Sequence, residues 1–356
     1  MELLGFMLCP LLFLLVIHGL SLFRRRTLPP GPYGLPLVGN LFDIGPKPHE
    51  SLAKLAKKHG PLMTIRLGSV TGVVASSPAM AREILPKNDE ACSGRPIPDA
   101  VTALDEYNHA AVEELIQHVK EASQREEAVD IGKLAFATVL NQMSNTCVSE
   151  NVADFTSNEI RAFRNAVKTL IEVDGKFNIA DIFPWLKPLD PQDHNAYGAK
   201  PMLLIVGLMQ FQMTSLDLFL AGTETSSNTT EWVMTELLLN PSIMAKVRQE
   251  VSDNVGAKGK IEESEIFELP YLQAVVKETM RLHLSVPFLV PHKTKTSVKL
   301  KGYEVPPNTQ ILVNAWAIAR DAEYWENPMK FMPERFLKSE VDFKGQHFSF
   351  LPFGSG

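Results

Sequence analysis

The residues whose types and order best suit chemistry lie in one long apolar stretch, Leu216 to Thr225. There Glu224 and Thr225 place a carboxylic acid beside a hydroxyl, just after Ala221 and Gly222. A glycine inside a helix costs about 1 kcal/mol relative to alanine, so its presence needs a reason. A locally opened helix beside a ligand would supply one. The alternative is a helix end with the threonine and glutamate as capping residues, and the local sequence alone favours that alternative.

Two further segments carry charges that could form a network. Glu278 and Arg281 are three residues apart, so a helix would place both on one face. For an isolated pair, the simplest interpretation is an exposed ion pair worth under about 0.5 kcal/mol. Arg335 stands in a proline-bounded turn, Phe331 to Phe336, from which it could reach a helix carboxylate. Taken alone, this segment is equally consistent with an ordinary polar turn on the surface.

The final residues, Phe348 to Gly356, form an aromatic run that enters a glycine turn. Such a run indicates a backbone that passes close to something flat or bulky, although an ordinary loop has the same composition. The three cysteines, Cys9, Cys92 and Cys147, are too far apart for a CxxC-type zinc site or a dense disulfide framework. A mainly reduced, cytosol-facing domain fits this cysteine usage.

The elements that must position these residues are mainly helical. Helical periodicity is found over 49–60, 109–125, 131–145, 158–173, 213–253 and 270–283. Met63 to Val74 alternates like a hairpin with Gly68 and Gly72 near its turn, and Ser77 precedes a further helix. A β-leaning stretch occupies 297–313. The patterns together predict a mainly α domain with a small β part.

Composition narrows the class of protein. The chain has 356 residues, of which 45% are hydrophobic and 21% are charged, as in an ordinary globular protein. Its net charge of -6 gives no sign of nucleic-acid binding, which usually needs a basic surface.

The N-terminus departs from this soluble pattern. Residues 3–23 carry no charged side chain apart from a possible charge on His18, and as a helix they would span roughly 31 Å, about one hydrocarbon core. Three arginines follow, so the positive-inside rule predicts a transmembrane anchor, residues 1–23, with the later residues in the cytosol. A cleaved signal peptide is the alternative, but its charges should precede the apolar run. Residues 24–40 are then expected to form a basic, proline-rich hinge.

The order and spacing of these features are far more specific than any one of them. An acid–threonine helix, an E-x-x-R pair, a P-E-R-F turn and an F-x-x-G loop follow an anchor and a proline hinge. In this series the chain resembles the cytochrome P450 family, and more narrowly the plant terpenoid hydroxylase branch that includes geraniol hydroxylases. Residues 94–98 and 314–321 are also similar to plant members. The resemblance implies an incomplete cytochrome P450 fold over residues 41–356, behind an N-terminal transmembrane helix.

The resemblance implies a haem cofactor and a role for each matching residue. Glu224 and Thr225 match the catalytic acid–alcohol pair that relays protons towards the haem centre. The residues expected to contact the haem are Ala221, Gly222, His292, Phe353 and Gly356. The residues expected to form a buried structural charge network are Glu278, Arg281 and Arg335. Removing one partner from such a network could cost about 3–5 kcal/mol.

The resemblance also implies partners and a location. The expected partners are NADPH-cytochrome P450 reductase as electron donor, a lipophilic small molecule as substrate, and a membrane. The expected location is the endoplasmic reticulum membrane, with the catalytic part in the cytosol.

Three features depart from the family pattern. The family's axial cysteine, whose thiolate favours O–O cleavage, lies a few residues beyond the position of Gly356, and none of the three cysteines has that context. No metal ligand is therefore assigned. Near residues 105–112 the family has a longer stretch with a W-x-x-x-R helix. Residues 195–212 replace helices that usually cover the substrate pocket.

Two functions from different classes follow. The first is a haem-dependent monooxygenase that hydroxylates a small lipophilic plant metabolite, with a monoterpenoid expected from the branch. The second is a catalytically inactive membrane-anchored fragment, truncated or misspliced, that lacks the axial cysteine. The missing cysteine favours the second for a polypeptide of these 356 residues. A haem-free carrier of lipophilic molecules is conceivable but has no positive support.

Overall fold

A computed structural model describes residues 28–35, 37–68, 70–85, 105–148, 163–169, 213–255 and 263–355. Within these ranges the chain is mainly helical with a small β part, so the predicted fold class is confirmed at that level. The predicted anchor, residues 1–23, lies outside them, and so does the apolar part of residues 195–212. No helix in the described ranges is both long enough and apolar enough to cross a bilayer.

Among the described residues, the labelled α-helices are α1 (Pro48–His59), α2 (Pro78–Ile84), α3 (Asp105–Gln124), α4 (Ile131–Val148), α5 (Met213–Leu239), α6 (Pro241–Val255), α7 (Pro270–Leu282) and α8 (Ala315–Ile318). Residues 163–169 are also helical. The same described ranges contain 3-10 helices at Leu41–Asp43, Glu263–Glu268 and Pro333–Phe336. The single helix predicted over 213–253 is divided between α5 and α6 at Asn240. The reason is Pro241, which cannot donate to the helix and disfavours helical backbone at the preceding residue.

The strands within the described part of the chain are β1 (Leu62–Leu67), β2 (Val70–Ala75), β3 (His292–Lys293), β4 (Val298–Leu300), β5 (Tyr303–Val305) and β6 (Gln310–Val313). One sheet has the order β1-β2-β6-β3, and β4 pairs only with β5. The predicted hairpin is confirmed as the antiparallel pair β1 and β2, with Leu67 opposite Val70. Gly68 lies in the turn with a φ of 55°, but Gly72 lies inside β2, opposite Ile65, and not in the turn.

The proline-rich segment packs on the sheet rather than standing away from it. The Thr64 amide donates to the carbonyl of Pro30 at 2.9 Å, and the Gly68 amide donates to the carbonyl of Val38 at 3.1 Å. A Cβ atom at Gly31 would lie 1.9 Å from the Thr64 carbonyl oxygen. Only glycine permits this approach, so the segment and β1 form one structural unit.

Two apolar cores position the candidate site. One lies between the sheet, α2 and α8. The other lies between α5, α6 and α7, where Leu237, Val247 and Val275 are buried together. Helix α7 contributes to this second core, and its residues Glu278 and Arg281 are buried.

Candidate functional site

Helix α5 runs without interruption through residues 221–225. The Thr225 hydroxyl donates to the carbonyl of Ala221 at 2.7 Å, and the Ser227 hydroxyl donates to the carbonyl of Thr223 at 2.7 Å. Such bonds to the carbonyl four residues earlier are what threonine and serine hydroxyls make inside a helix. The helix end that the local sequence favoured is therefore wrong, and residues 221–225 lie in mid-helix.

Packing against α4 explains why a glycine is tolerated at position 222 inside the helix. It faces α4, where a Cβ atom would lie 2.9 Å from the Cε atom of Met143. The missing side chain leaves room for the Met143 side chain at this point. The neighbouring Ala221 is exposed, so the small residues at this turn leave one side of α5 uncovered.

Glu224 has an unusual environment for a carboxylate. Its side chain is half-buried, and its Oε2 atom is buried with no hydrogen-bond partner among the described residues. Burial is the main cause that raises the pKa of Glu224, and the charge of Glu231 raises it further. The cations of Arg164 and Lys168 act in the opposite direction. Glu224 thus favours its protonated form more than an exposed glutamate does.

Thr223, beside Glu224, was not singled out from the sequence. Its side chain is buried, and its hydroxyl also has no hydrogen-bond partner in the described part of the chain. Two neighbouring buried polar groups without partners are uncommon in a folded protein and mark this turn of α5 as a place where a ligand or ordered water belongs.

The structure brings Glu278, Arg281 and Arg335 into one buried cluster. The Nε and Nη2 atoms of Arg281 each lie 2.8 Å from an oxygen of Glu278, and both side chains are 0% exposed. Arg335 reaches the same carboxylate, with Nε 3.1 Å from Oε1. The Met332 amide donates to Oε1 at 2.9 Å. This is a buried network, and the simple interpretation of an exposed ion pair is wrong.

The two arginines also hold the loop between α8 and the last 3-10 helix. Arg281 donates to the carbonyls of Ala319 at 2.6 Å and Pro328 at 2.8 Å. Arg335 donates to the carbonyl of Glu326 at 2.9 Å. The ring of Trp325 lies 5.2 Å from the Cζ atom of Arg281 and 5.8 Å from that of Arg335. The network therefore fixes α7 against a loop about fifty residues later in the chain.

The other described residues predicted to contact haem belong to β3 and to the final loop. His292 is half-buried in β3, where its backbone pairs with Ile311. Phe353 is 70% exposed and packs edge-on against Phe343 at 6.1 Å. Among the described residues, no hydrogen bond, ion pair or ring contact joins His292 or Phe353 to residues 221–225. Gly356 is not among the described residues.

The aromatic run before Phe353 is divided between core and surface. Phe350 is buried against Trp325 and Phe336, with ring centroids 6.4 and 5.2 Å away. The Trp325 indole donates to the carbonyl of Ser349 at 3.3 Å. The run therefore fastens the final loop to the same core that carries the arginine network and leaves Phe353 facing outward.

A second charged pair close to Glu224 was missed from the sequence. Arg164, in a helical segment over 163–169, places Nη2 2.6 Å from Oε2 of Glu231 on α5. The two residues are 67 positions apart, so no local spacing could have indicated the pair. Among the described residues no cluster of three or more histidine, cysteine, aspartate or glutamate side chains could hold a metal ion.

A mainly helical domain with a mid-helix acid and a buried glutamate–arginine core is the arrangement expected of a haem monooxygenase. A family model described as Cytochrome P450 matches residues 29–112 and 207–356, which is more than half of the chain. The chain belongs to the cytochrome P450 family.

Curated plant proteins resemble the chain over nearly its whole length. A geraniol 8-hydroxylase of Catharanthus roseus is 38% identical, with 97% of this chain and 86% of that protein covered. A geraniol 8-hydroxylase of Swertia mussotii is 37% identical, with 97% and 85% covered. A ferruginol synthase of Isodon rubescens is 37% identical, with 98% and 87% covered. These relatives place the chain in the plant terpenoid hydroxylase branch of the family.

The alignments also show that these relatives carry residues without a counterpart here. The alignment with the Swertia mussotii protein runs over 422 residues, which exceeds the 356 residues of this chain. Between its two matched segments, the family model leaves residues 113–206 of this chain unmatched. Parts of the relatives' chains are therefore missing from this sequence, in keeping with the departures noted from the family pattern.

Proposed function

We propose that this chain is the catalytic part of a haem-dependent monooxygenase that hydroxylates a small lipophilic terpenoid. The observation that carries the proposal is the position of Glu224 and Thr225 in the middle of α5, next to an exposed Ala221. The names of the plant relatives support a terpenoid substrate, and a monoterpenoid is the first candidate.

Glu224 is the proposed proton donor of the site. Its raised pKa keeps a proton on the carboxyl at a pH where an exposed glutamate has lost it. Its Oε2 atom has no described partner, so that proton is not committed to another side chain. A general acid works best when its pKa lies near the operating pH, and burial moves Glu224 in that direction.

Thr225 is the proposed second member of the relay. Its hydroxyl proton lies towards the Ala221 carbonyl at 2.7 Å, which leaves the lone pairs of the oxygen able to accept a proton from another donor. To donate outside the helix, Thr225 must give up that bond by rotating its side chain. The relay therefore depends on a local rotation and not on a change in the helix itself.

In this proposal the exposed Ala221 and the partnerless polar atom of Glu224 would adjoin a haem. Gly222 packs against Met143 of α4 instead, and His292 lies on β3. A bound haem supplies the activation of dioxygen. The axial thiolate has no counterpart among the described side chains. In this proposal, residues of this chain orient the substrate, and Glu224 holds the proton.

We further propose that NADPH-cytochrome P450 reductase supplies the electrons and that the protein works at the endoplasmic reticulum membrane. The membership of the family supports the need for a redox partner and a lipophilic substrate. The uncharged run over residues 3–23 and the arginines that follow support the membrane location.

The decisive test combines a spectrum with turnover. We would express residues 1–356 and a version extended through the family's cysteine loop, with the reductase in microsomes. The extended protein should give the thiolate-type ferrous carbon-monoxide band and hydroxylate geraniol. The matched control is the extended Glu224→Gln variant, which should keep the band and lose most turnover. An extended protein that binds haem but oxidises no terpenoid would refute the proposed substrate class.

The same pair of proteins tests the second candidate, an inactive fragment. The polypeptide of residues 1–356 has cysteines only at positions 9, 92 and 147, none of which follows the F-x-x-G loop. We expect no thiolate-type band from it. A band from the unextended polypeptide would reject this candidate. If neither protein gives the thiolate-type band, the segments missing from the interior of the chain are also required.

A further inference from the structure

His49, in the first turn of α1, joins this helix to α8 through both its ring and its backbone. The imidazole lies 5.1 Å from the ring centre of Trp316 on α8 and 6.3 Å from that of Phe288. The backbone carbonyl of His49 accepts a hydrogen bond from the Asn314 side chain at 3.0 Å. Asn314 is also the N-cap of α8, where its side chain accepts from the Ala317 amide. One residue of α1 therefore makes several of the contacts that hold the start of the helix.

The indole that His49 contacts already carries a cation. The Cζ atom of Arg320 lies 4.1 Å from the ring centre of Trp316, within the range of a cation–π contact. The guanidinium donates to the carbonyls of Trp316, at 3.2 Å, and of Leu282. Its Nε atom is buried with no hydrogen-bond partner in the described part of the chain. Backbone carbonyls carry no net charge, so the positive charge of Arg320 stays uncancelled beside the imidazole.

The carboxylate nearest to His49 along the chain is engaged elsewhere. Glu50 follows His49 directly, but its Oε1 atom lies 3.0 Å from Nζ of Lys47. Lys47 thus cancels much of the negative charge that would otherwise stabilise a protonated imidazole. No ion pair joins His49 itself to a carboxylate among the residues that the structure describes.

These surroundings favour the neutral imidazole. Burial is the largest cause that lowers the pKa of His49, Glu50 opposes it, and Arg320 and Lys47 lower it further. A state in which α1 has left Trp316 would regain the ordinary pKa of 6.5. As the pH falls below that value, the open state takes up a proton first. The closed state then loses up to about tenfold in relative population for each pH unit, until it is protonated as well.

From these contacts we propose that His49 is a pH-sensitive latch, which holds α1 on α8 while the imidazole is neutral and releases α1 when the imidazole takes up a proton. Release would uncover an apolar surface, because Leu52 of α1 is buried together with Met63 and Ile65 of β1. The latch goes beyond the proposed function and does not depend on it, since it involves none of the residues of the proton relay.

The test is hydrogen exchange of the full chain, followed by mass spectrometry at about pH 5 and about pH 7.5, on either side of the ordinary histidine pKa. Rates are corrected for the intrinsic effect of pH on exchange. Protection of residues 48–59 should fall several-fold in acid, while that of α6, the internal reference, stays unchanged. His49→Gln and His49→Phe cannot take up the proton and should abolish the fall. His49→Phe also keeps a ring that packs on Trp316.

The matched control is His59→Gln, which removes the other histidine of α1 and should keep the fall. Lys47→Gln frees Glu50 to pair with a protonated His49 and should make the fall smaller. Equal protection of α1 at the two pH values in the wild type would overturn the proposal, and so would a fall that persists in both His49 variants. A fall of the same size in α6 would indicate general opening of the fold and would also reject the latch.

Discussion

Glu224 combines two properties of a proton donor, and both come from its position on α5. Its carboxyl is half-buried, and one oxygen has no hydrogen-bond partner in the described part of the chain. Burial raises its pKa, so folding favours the neutral acid. A neutral acid in this position can give up a proton, whereas a carboxylate bound to a fixed cation cannot.

The raised pKa of Glu224 has a consequence for stability. Below its ordinary pKa of 4.5, the group is protonated in both the folded and unfolded states. As the pH rises through the higher folded pKa, the unfolded state loses its proton more readily, so the folded state loses stability. Glu224→Gln stays neutral at every pH. Denaturant titrations should show the variant equal to the wild type in acid and more stable at neutral pH, whereas a pH-independent difference would contradict this.

The glutamate–arginine network should carry far more stability than an exposed pair. Glu278→Ala leaves Arg281 buried at 0% exposure without its carboxylate, and the expected loss is about 3–5 kcal/mol in the free energy of unfolding. Urea titration of the full chain measures it. Lys47→Gln, which breaks an exposed pair with Glu50, serves as the control and should cost under about 1 kcal/mol. Equal losses in the two variants would show that the network contributes little.

At the scale of elements, the proline-rich segment belongs to the sheet. Its carbonyls accept hydrogen bonds from β1, and glycines permit the close approach. The described part of this segment is therefore tied directly to β1, an edge strand of the sheet.

Gly31→Ala should separate this segment from β1. The new Cβ atom would lie 1.9 Å from the backbone oxygen of Thr64, which cannot move without distorting the strand. Limited proteolysis should then cut within residues 28–40 much faster than in the wild type. The control is Gly60→Ala, at a φ of 103° where no atom lies within 4 Å of the added carbon. It should introduce local backbone strain but leave the cleavage rate of the segment unchanged. Equal cleavage rates would count against the attachment.

At the scale of the whole molecule, the membrane is the partner that the sequence predicts most directly. Deletion of residues 1–23 should release the chain from alkali-washed microsomes, because the apolar run is the predicted anchor. Fractionation followed by immunoblotting measures the release. Leu12→Arg with Leu15→Arg keeps the length of the segment while making insertion costly, and it should also release the chain. Full-length chain in the soluble fraction would reject the predicted anchor.

Several elements were predictable because their signals are local. The alternation of β1 and β2 and the prolines at the starts of α1, α2 and α7 each depend on neighbouring residues. The series of motifs from α5 to the final loop was specific enough to indicate the family, which the comparisons confirm. The E-x-x-R spacing placed Glu278 and Arg281 on one face of α7.

Only the tertiary structure decided what surrounds those residues. Local sequence favoured a helix end at Glu224, yet α5 continues through it and packs on α4 at Gly222. The pairing of Arg164 with Glu231 joins residues 67 positions apart, so no spacing rule could reveal it. Sequence thus determined which residue types recur at helical and strand periods, because those are local properties. Burial and the distances between charges set the pKa of Glu224 and the strength of the Glu278 network, and both depend on which distant segments meet.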